Sequence, residues 1–220
     1  LACLLFQSTI SFCQSTSYHP LLENAKTWDV FGGEAGSITP YIQGERYLTE
    51  GTALYEGQEY QELWYELFLA ENPPVFVPPF DLGSPVPYGL IREDTVARKV
   101  YFRRFQFDWS VGEEHLIYDF KLPVGNSIQM ADGIWYTLDS VVMTTIDNGE
   151  SRRKFHFHTS DQAFGPSFYI EGIGGKNGFA YPMGEYFEYR SDLVCVKRSG
   201  EILYSAGNYS SPCNFITATH

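Results

Sequence analysis

Positive charge, cysteine and long apolar runs are all scarce in this 220-residue chain, and each scarcity closes off a class of function. Fifteen Lys and Arg stand against 27 Asp and Glu, a formal net charge of −12. That balance repels polyanions and excludes nucleic acid as an expected partner; its plainest purpose is solubility. The apolar stretch at residues 1–14 places Leu1, Leu4, Leu5, Phe6 and Ile10 ahead of Ser11-Phe12-Cys13-Gln14. It falls short of the about 20 residues that cross a bilayer, and it suits the apolar part of a secretory signal followed by small residues at a cleavage point. The initiating Met and basic leader of such a signal would lie upstream. A buried strand or short helix is the competing reading, against which the Gln7-Ser8-Thr9 break argues. Phe12 before Cys13 disfavours a lipoprotein, whose signal places a small residue there.

Of the four cysteines, Cys3 and Cys13 fall in that stretch, which leaves Cys195 and Cys213. Neither has a C-x-x-C partner and no His lies between them, so a metal site or a redox pair has little to build on. In an oxidising compartment the remaining arithmetic pairs them, closing a loop that stabilises by roughly 3 kcal/mol on the chain-entropy model. No Gly-x-Ser-x-Gly elbow, P-loop or His-Glu-x-x-His motif occurs. Gly172, Gly174 and Gly175 lack the final glycine and following helix of a dinucleotide loop. No cofactor and no catalytic residue is therefore assigned.

What the chain does have is aromatic side chains, 16 Tyr and 17 Phe, which suit the pleated, half-buried surface of a sheet. After a polar lead-in at residues 15–27, strand patterns run from Trp28 onward. Residues 37–48 alternate around Ile38, Tyr41, Ile42 and Tyr47; residues 59–69 are rich in Tyr, Trp, Leu and Phe; Tyr55-Glu56-Gly57-Gln58 supplies a turn between them. Six prolines in residues 71–87 forbid a central strand and mark a long loop, whose Val75, Phe76, Val77 and Phe80 suit packing back onto the domain. Short strands follow at 88–93, 99–104 and 115–120. Asp147-Asn148-Gly149-Glu150 predicts a type I′ hairpin turn, and Arg198-Ser199-Gly200-Glu201 repeats the device. No segment carries a persuasive helical period, and no linker or fixed-period repeat divides the chain. The expected fold is all-β: one domain over residues 28–220, an antiparallel meander forming a curved sandwich or partly open barrel, with one C-terminal disulfide, Cys195 to Cys213.

Three sets of residues are candidates for chemistry. His156 and His158 share one face of a strand, with Asp161 close behind, as a metal pair would; the period-two alternation with buried Phe155 and Phe157 explains the same residues without a metal. Glu171, followed by glycines that permit close backbone or ligand approach, is the candidate acid. A glycosidase-like hydrolase would join it to a second carboxylate from Asp94, Asp119 or Asp139. The plainer reading ties Glu171 to a buried Arg92 or Arg153. Exposed aromatics, with Phe76, Trp109 and Trp135 as candidates, suit stacking on a glycan or holding an apolar ligand.

Several stretches together resemble an uncharacterised family of secreted proteins from flavobacteria and their relatives. They are Glu50-Gly51-Thr52-Ala53-Leu54-Tyr55, Gly89-Leu90-Ile91-Arg92-Glu93-Asp94, Lys99-Val100-Tyr101, Leu116-Ile117-Tyr118-Asp119-Phe120 with Val124-Gly125, Leu138-Asp139-Ser140-Val141, and Tyr169-Ile170-Glu171-Gly172-Ile173-Gly174. The Cys195 hairpin ending at Cys213 looks like the family's closing element. Many members carry a C-terminal sorting domain for type IX secretion, which is not read in these 220 residues. The resemblance implies a secreted, periplasmic or outer-surface location and brings no enzymatic activity with it. The combined expectation is a non-catalytic exported module, binding or structural, with a glycan or cell-surface component as partner and no transmembrane segment in the mature chain.

Overall fold

A computed structural model describes residues 17–34, 42–71, 84–131, 133–160, 165–183, 189–207 and 213. The apolar stretch 1–14, Phe76 with residues 72–83, and Asp161 lie outside the described residues.

The described chain is all-β and antiparallel, without a helix. Six strands run as an uninterrupted meander: β1 (Lys26–Glu34), β2 (Ile42–Tyr55), β3 (Gln58–Glu71), β4 (Val86–Asp94), β5 (Lys99–Phe105) and β6 (Val111–Asp119). A second meander follows in β7 (Ser127–Gln129), β8 (Trp135–Thr145), β9 (Ser151–Thr159), β10 (Ser167–Ile170) and the two-residue β11 (Gly174–Gly175). The chain then returns to the first sheet, where β12 (Tyr189–Arg198) pairs with β1, and β13 (Glu201–Ser205) pairs with β12. The result is an eight-stranded sheet, ordered β13-β12-β1-β2-β3-β4-β5-β6, that curls into a half-barrel, and a five-stranded sheet ordered β11-β10-β9-β8-β7.

Local sequence accounts for the tight turns. Glu56 and Gly57 both take positive φ, at 50° and 77°, and so do Ser199 and Gly200, at 50° and 86°. Those are the type I′ turns of the β2–β3 and β12–β13 hairpins, whose twist matches that of the flanking strands. The Asn148-Gly149 hairpin differs from expectation. Only Gly149 has positive φ, and its N–H donates to the Ile146 carbonyl at 2.9 Å while Ile146 N–H donates to Glu150 at 2.9 Å. This is a longer loop closed by one left-handed glycine. Its tip is held elsewhere: Asp147 N–H donates to the Leu203 carbonyl at 3.0 Å and its carboxylate accepts from Ser205 Oγ at 2.7 Å, both on β13. Pro87, expected in the loop, lies inside β4 where the register with β3 shifts between Leu63 and Trp64. A bulge tolerates the missing donor.

One core joins the two sheets. Phe120, just beyond β6, meets Phe155 of β9 at 5.8 Å and Tyr169 of β10 at 5.3 Å between ring centroids, and Tyr118 meets Tyr169 at 5.3 Å. The lead-in is part of this core. Leu21 is fully buried, and Glu93 accepts the Leu21 and Leu22 N–H groups at 2.9 and 2.8 Å and the Tyr18 hydroxyl. Residues 171–183 are almost wholly buried and fill the space between the sheets with Ile173, Phe179, Ala180 and Met183. A buried loop must satisfy its backbone groups. Side chains from the larger sheet do so: Trp28 Nε1 donates to Ile173 at 2.7 Å, Tyr118 Oη to Phe179 at 2.7 Å, and Lys26 Nζ to Gly172 at 2.9 Å. Close packing here needs glycine, because a Cβ on Gly175 would lie 2.3 Å from Pro182. Cys195 of β12 is disulfide-bonded to Cys213.

Candidate functional site

The curl of the larger sheet leaves a concavity on its inner face, and the ladder register decides what lines it. Tyr47 of β2 sits directly opposite Tyr65 of β3. Tyr88 of β4 is the extra residue of the β3–β4 bulge, lying between Gly89, opposite Leu63, and Pro87, opposite Trp64. A bulge re-aims a side chain, and here it brings Tyr88 against Tyr65 at 5.3 Å and Tyr47 at 5.4 Å, both edge-on, and flat against Phe102 of β5 at 5.7 Å. Gly89 makes the room. A Cβ there would stand 2.2 Å from the Arg103 carbonyl and 2.6 Å from the Phe102 ring.

The opposite wall is the buried loop, with Asn177, Phe179 and Tyr181, joined by Ser191 of β12. The cleft, open to solvent on one side, has a volume of about 400 Å³, within the range of small-ligand sites. Polar groups converge on it. Glu45 precedes Tyr47 by two residues on the same strand face, accepts the Tyr47 hydroxyl at 2.6 Å and contacts the Gln43 side-chain amide. Some of Glu45 still touches solvent, but its carboxyl group is closely enclosed; that desolvation raises its pKa, against hydrogen bonds from Tyr47 and Gln43 and the field of Arg104. Arg104 of β5 donates to Tyr181 Oη at 3.2 Å and lies over the Tyr88 ring at 5.3 Å. Partial burial works against its charge, yet the Tyr88 and Tyr181 oxygens keep the guanidinium above its ordinary pKa. Burial pushes the Tyr88 hydroxyl well up, and burial followed by the Glu45 charge raises Tyr65. Planar rings beside a carboxyl, an amide, a guanidinium and a hydroxyl can stack on a ring-shaped ligand and hydrogen-bond its rim.

The residues singled out in the sequence lie elsewhere. Glu171 is 2% exposed and held by Arg153, Nε to Oε2 and Nη2 to Oε1, both at 2.9 Å. Arg92, the other expected partner, pairs with Glu114 at 2.6 Å. The possible second carboxylates are engaged separately: Asp94 accepts the Val96 and Ala97 N–H groups, Asp119 pairs with Lys99 at 3.4 Å, and Asp139 contacts His158. His156 packs against the Phe168 ring at 6.3 Å, and burial followed by Lys154 lowers its pKa; His158 is exposed. Phe155 and Phe157 are buried on the other face of β9. Among the described residues no group of three or more His, Cys, Asp and Glu comes together in a way that could hold a metal.

Trp109, at φ 65° in the β5–β6 turn, is 62% exposed, and Trp135, at the start of β8, is 55% exposed. Neither lines the concavity. The lining residues that were missed, Glu45, Tyr47, Tyr65, Tyr88, Arg104 and Tyr181, belong to four strands and a loop. Only the i, i+2 spacing of Glu45 and Tyr47 pointed to a shared strand face. No family model, curated protein or solved structure matches the chain, so the flavobacterial resemblance rests on the residues quoted for it.

Proposed function

We propose that the chain is an exported, non-catalytic module that binds a glycan in the tyrosine-lined concavity. The observation that carries this is the meeting of Tyr47, Tyr65 and Tyr88 with Glu45 and Arg104 in one concavity of about 400 Å³. Sugars offer flat C–H faces to rings and hydroxyls to carboxyl, amide and guanidinium groups, and this lining supplies both. Binding is favoured over hydrolysis because Glu45 is the one carboxylate among the described lining residues, whereas glycoside hydrolysis ordinarily uses two flanking the scissile bond. Export is supported by the resemblance and by a disulfide, which persists in oxidising compartments. No described helix is long and apolar enough to cross a membrane.

A glycan array followed by calorimetric titration tests the proposal. Wild type should bind a subset of glycans, and Tyr65→Ala should weaken that binding by about tenfold, the loss expected when one aromatic contact worth roughly 1.5 kcal/mol is removed. Binding unaffected by Tyr65→Ala, or an empty array, would overturn it. So would turnover in a chromogenic hydrolase screen.

A further inference from the structure

Arg104 holds the further clue. Among the described residues it forms no ion pair within 4 Å; its partners are the Tyr181 hydroxyl and the Tyr88 ring. Most arginines outside the concavity are matched to carboxylates, among them Arg46 to Asp29 at 2.6 Å, Arg92 to Glu114 at 2.6 Å, Arg103 to Glu56 at 2.8 Å and Arg153 to Glu171 at 2.9 Å, whereas Arg104 is the one described arginine that lines this concavity. The overall charge of −12 opposes an acidic ligand at long range, but at contact a solvent-accessible guanidinium with no carboxylate within 4 Å, in the wall of a cavity, is a place for a single ligand carboxylate. We propose that the glycan is a carboxylate-bearing one, a uronic acid residue whose carboxylate is received by Arg104 while its ring lies among Tyr47, Tyr65 and Tyr88. This rests on the glycan reading of the concavity.

Guanidinium and carboxylate match in shape and charge, so the contact selects an acid over the alcohol that a neutral sugar carries at the same carbon. Tyr181 and Tyr88 fix the guanidinium before the ligand arrives, which reduces the ordering cost of binding. The remaining charged group is Glu45 on β2. Around it stand Gln43 and Tyr47 of the same strand, Tyr65 of β3, Tyr88 of β4, Arg104 of β5 and Tyr181 of the loop. Of these, Glu45 is the one carboxyl group. Its carboxyl group is raised by burial, so lowering the pH neutralises it. The local field then becomes more positive, and a sugar carboxylate, ionised throughout this range, is held more tightly. Affinity should therefore rise as pH falls.

Calorimetric titration with matched pairs of oligosaccharides decides the matter: glucuronic beside glucose, galacturonic beside galactose, mannuronic beside mannose oligomers, each at pH 5 and pH 8. At least one acidic member should bind about tenfold or more tightly than its neutral counterpart, the effect of one charge-assisted contact, and more tightly at pH 5 than at pH 8. Arg104→Gln should erase the preference for the acid, Arg104→Lys should keep part of it, and Glu45→Gln should flatten the pH dependence at the tighter limit. Neutral members binding as well as acidic ones, with Arg104→Gln unchanged, would overturn the uronate assignment and leave the glycan reading standing. Absence of binding by all members, together with an empty glycan array, would overturn both.

Discussion

Tyr88 and Gly89 are neighbours in β4 with complementary tasks, one reaching into the concavity and the other leaving space so that it can. The adjacent strand passes so close to Gly89 that a single methyl group would meet the Arg103 carbonyl at 2.2 Å. Backbone cannot yield as a flexible side chain does, so the β4–β5 ladder would have to open. We expect Gly89→Ala to lower unfolding free energy by about 1–3 kcal/mol, the usual range for an overpacked interior, and to weaken ligand binding by displacing Tyr88. Denaturant unfolding followed by tryptophan fluorescence measures the first; an unchanged midpoint would contradict the packing described. Lys26 shows the opposite kind of dependence. Its ammonium, 2% exposed as a residue, donates to the carbonyls of Pro20, Leu21 and Gly172 at 3.1, 3.0 and 2.9 Å and pairs with Glu23 at 3.0 Å. Burial pulls its pKa down. In the sequence Lys26 reads as the polar end of a lead-in, because nothing local announces that the Gly172 carbonyl, 146 residues away, will close over it.

At the scale of elements, the parts that the chain's own neighbours determine were legible. Alternation placed most strands, and glycine placed their turns, because both depend on residues a few positions apart. The failures share a cause. Asn148-Gly149 has the composition of a type I′ turn, but Asp147 is tied to β13, more than 50 residues later, and that distant anchor sets the loop. The glycines after Glu171 were read correctly as allowing close approach; that the whole segment to Met183 is an internal plug depends on Trp28 and Tyr118, which no local pattern links to it. The concavity was hidden for the same reason, since Tyr47, Tyr65, Tyr88 and Arg104 become neighbours only through cross-strand register. The β12–β13 hairpin joins local and distant determinants: a tight turn of its own, and a covalent tie from Cys195 to Cys213. Reduction should lower stability by roughly 3 kcal/mol. Paired denaturant curves with and without reductant measure this, and coincident curves would show that the tie constrains little.

Taken whole, the molecule has an interior built on phenol rings. Tyr18, Tyr65, Tyr88, Tyr118, Tyr169 and Tyr204 all have hydroxyls pushed above their ordinary value of 10.0, with burial the leading cause in each. A group whose pKa is raised in the native state contributes stability that is intact below the unfolded value and is lost as pH climbs toward the folded one. Stability should therefore hold up to about pH 10 and fall steeply above it. Melting temperatures recorded from pH 8 to 11.5, with tyrosinate absorbance near 295 nm, should show ionisation of these rings arriving together with unfolding. Ionisation of all 16 tyrosines in a protein that stays folded would contradict the burial of these six. Lys26 and Lys154 act in the other direction, since pKa values lowered by burial make stability rise with pH below 10.5; six rings outweigh two amines.

The pairing of β1 with β12, Lys26 opposite Arg198 and Glu34 opposite Tyr189, also governs how the protein is born. As the polypeptide emerges from the ribosome, β1 keeps one flank bare until about 160 further residues have been made. Contacts so far apart along the chain assemble slowly. A nascent chain of this kind stays open for longer than a helical one, which suits the proposed export and leaves β1 in need of a holding chaperone until β12 has been made.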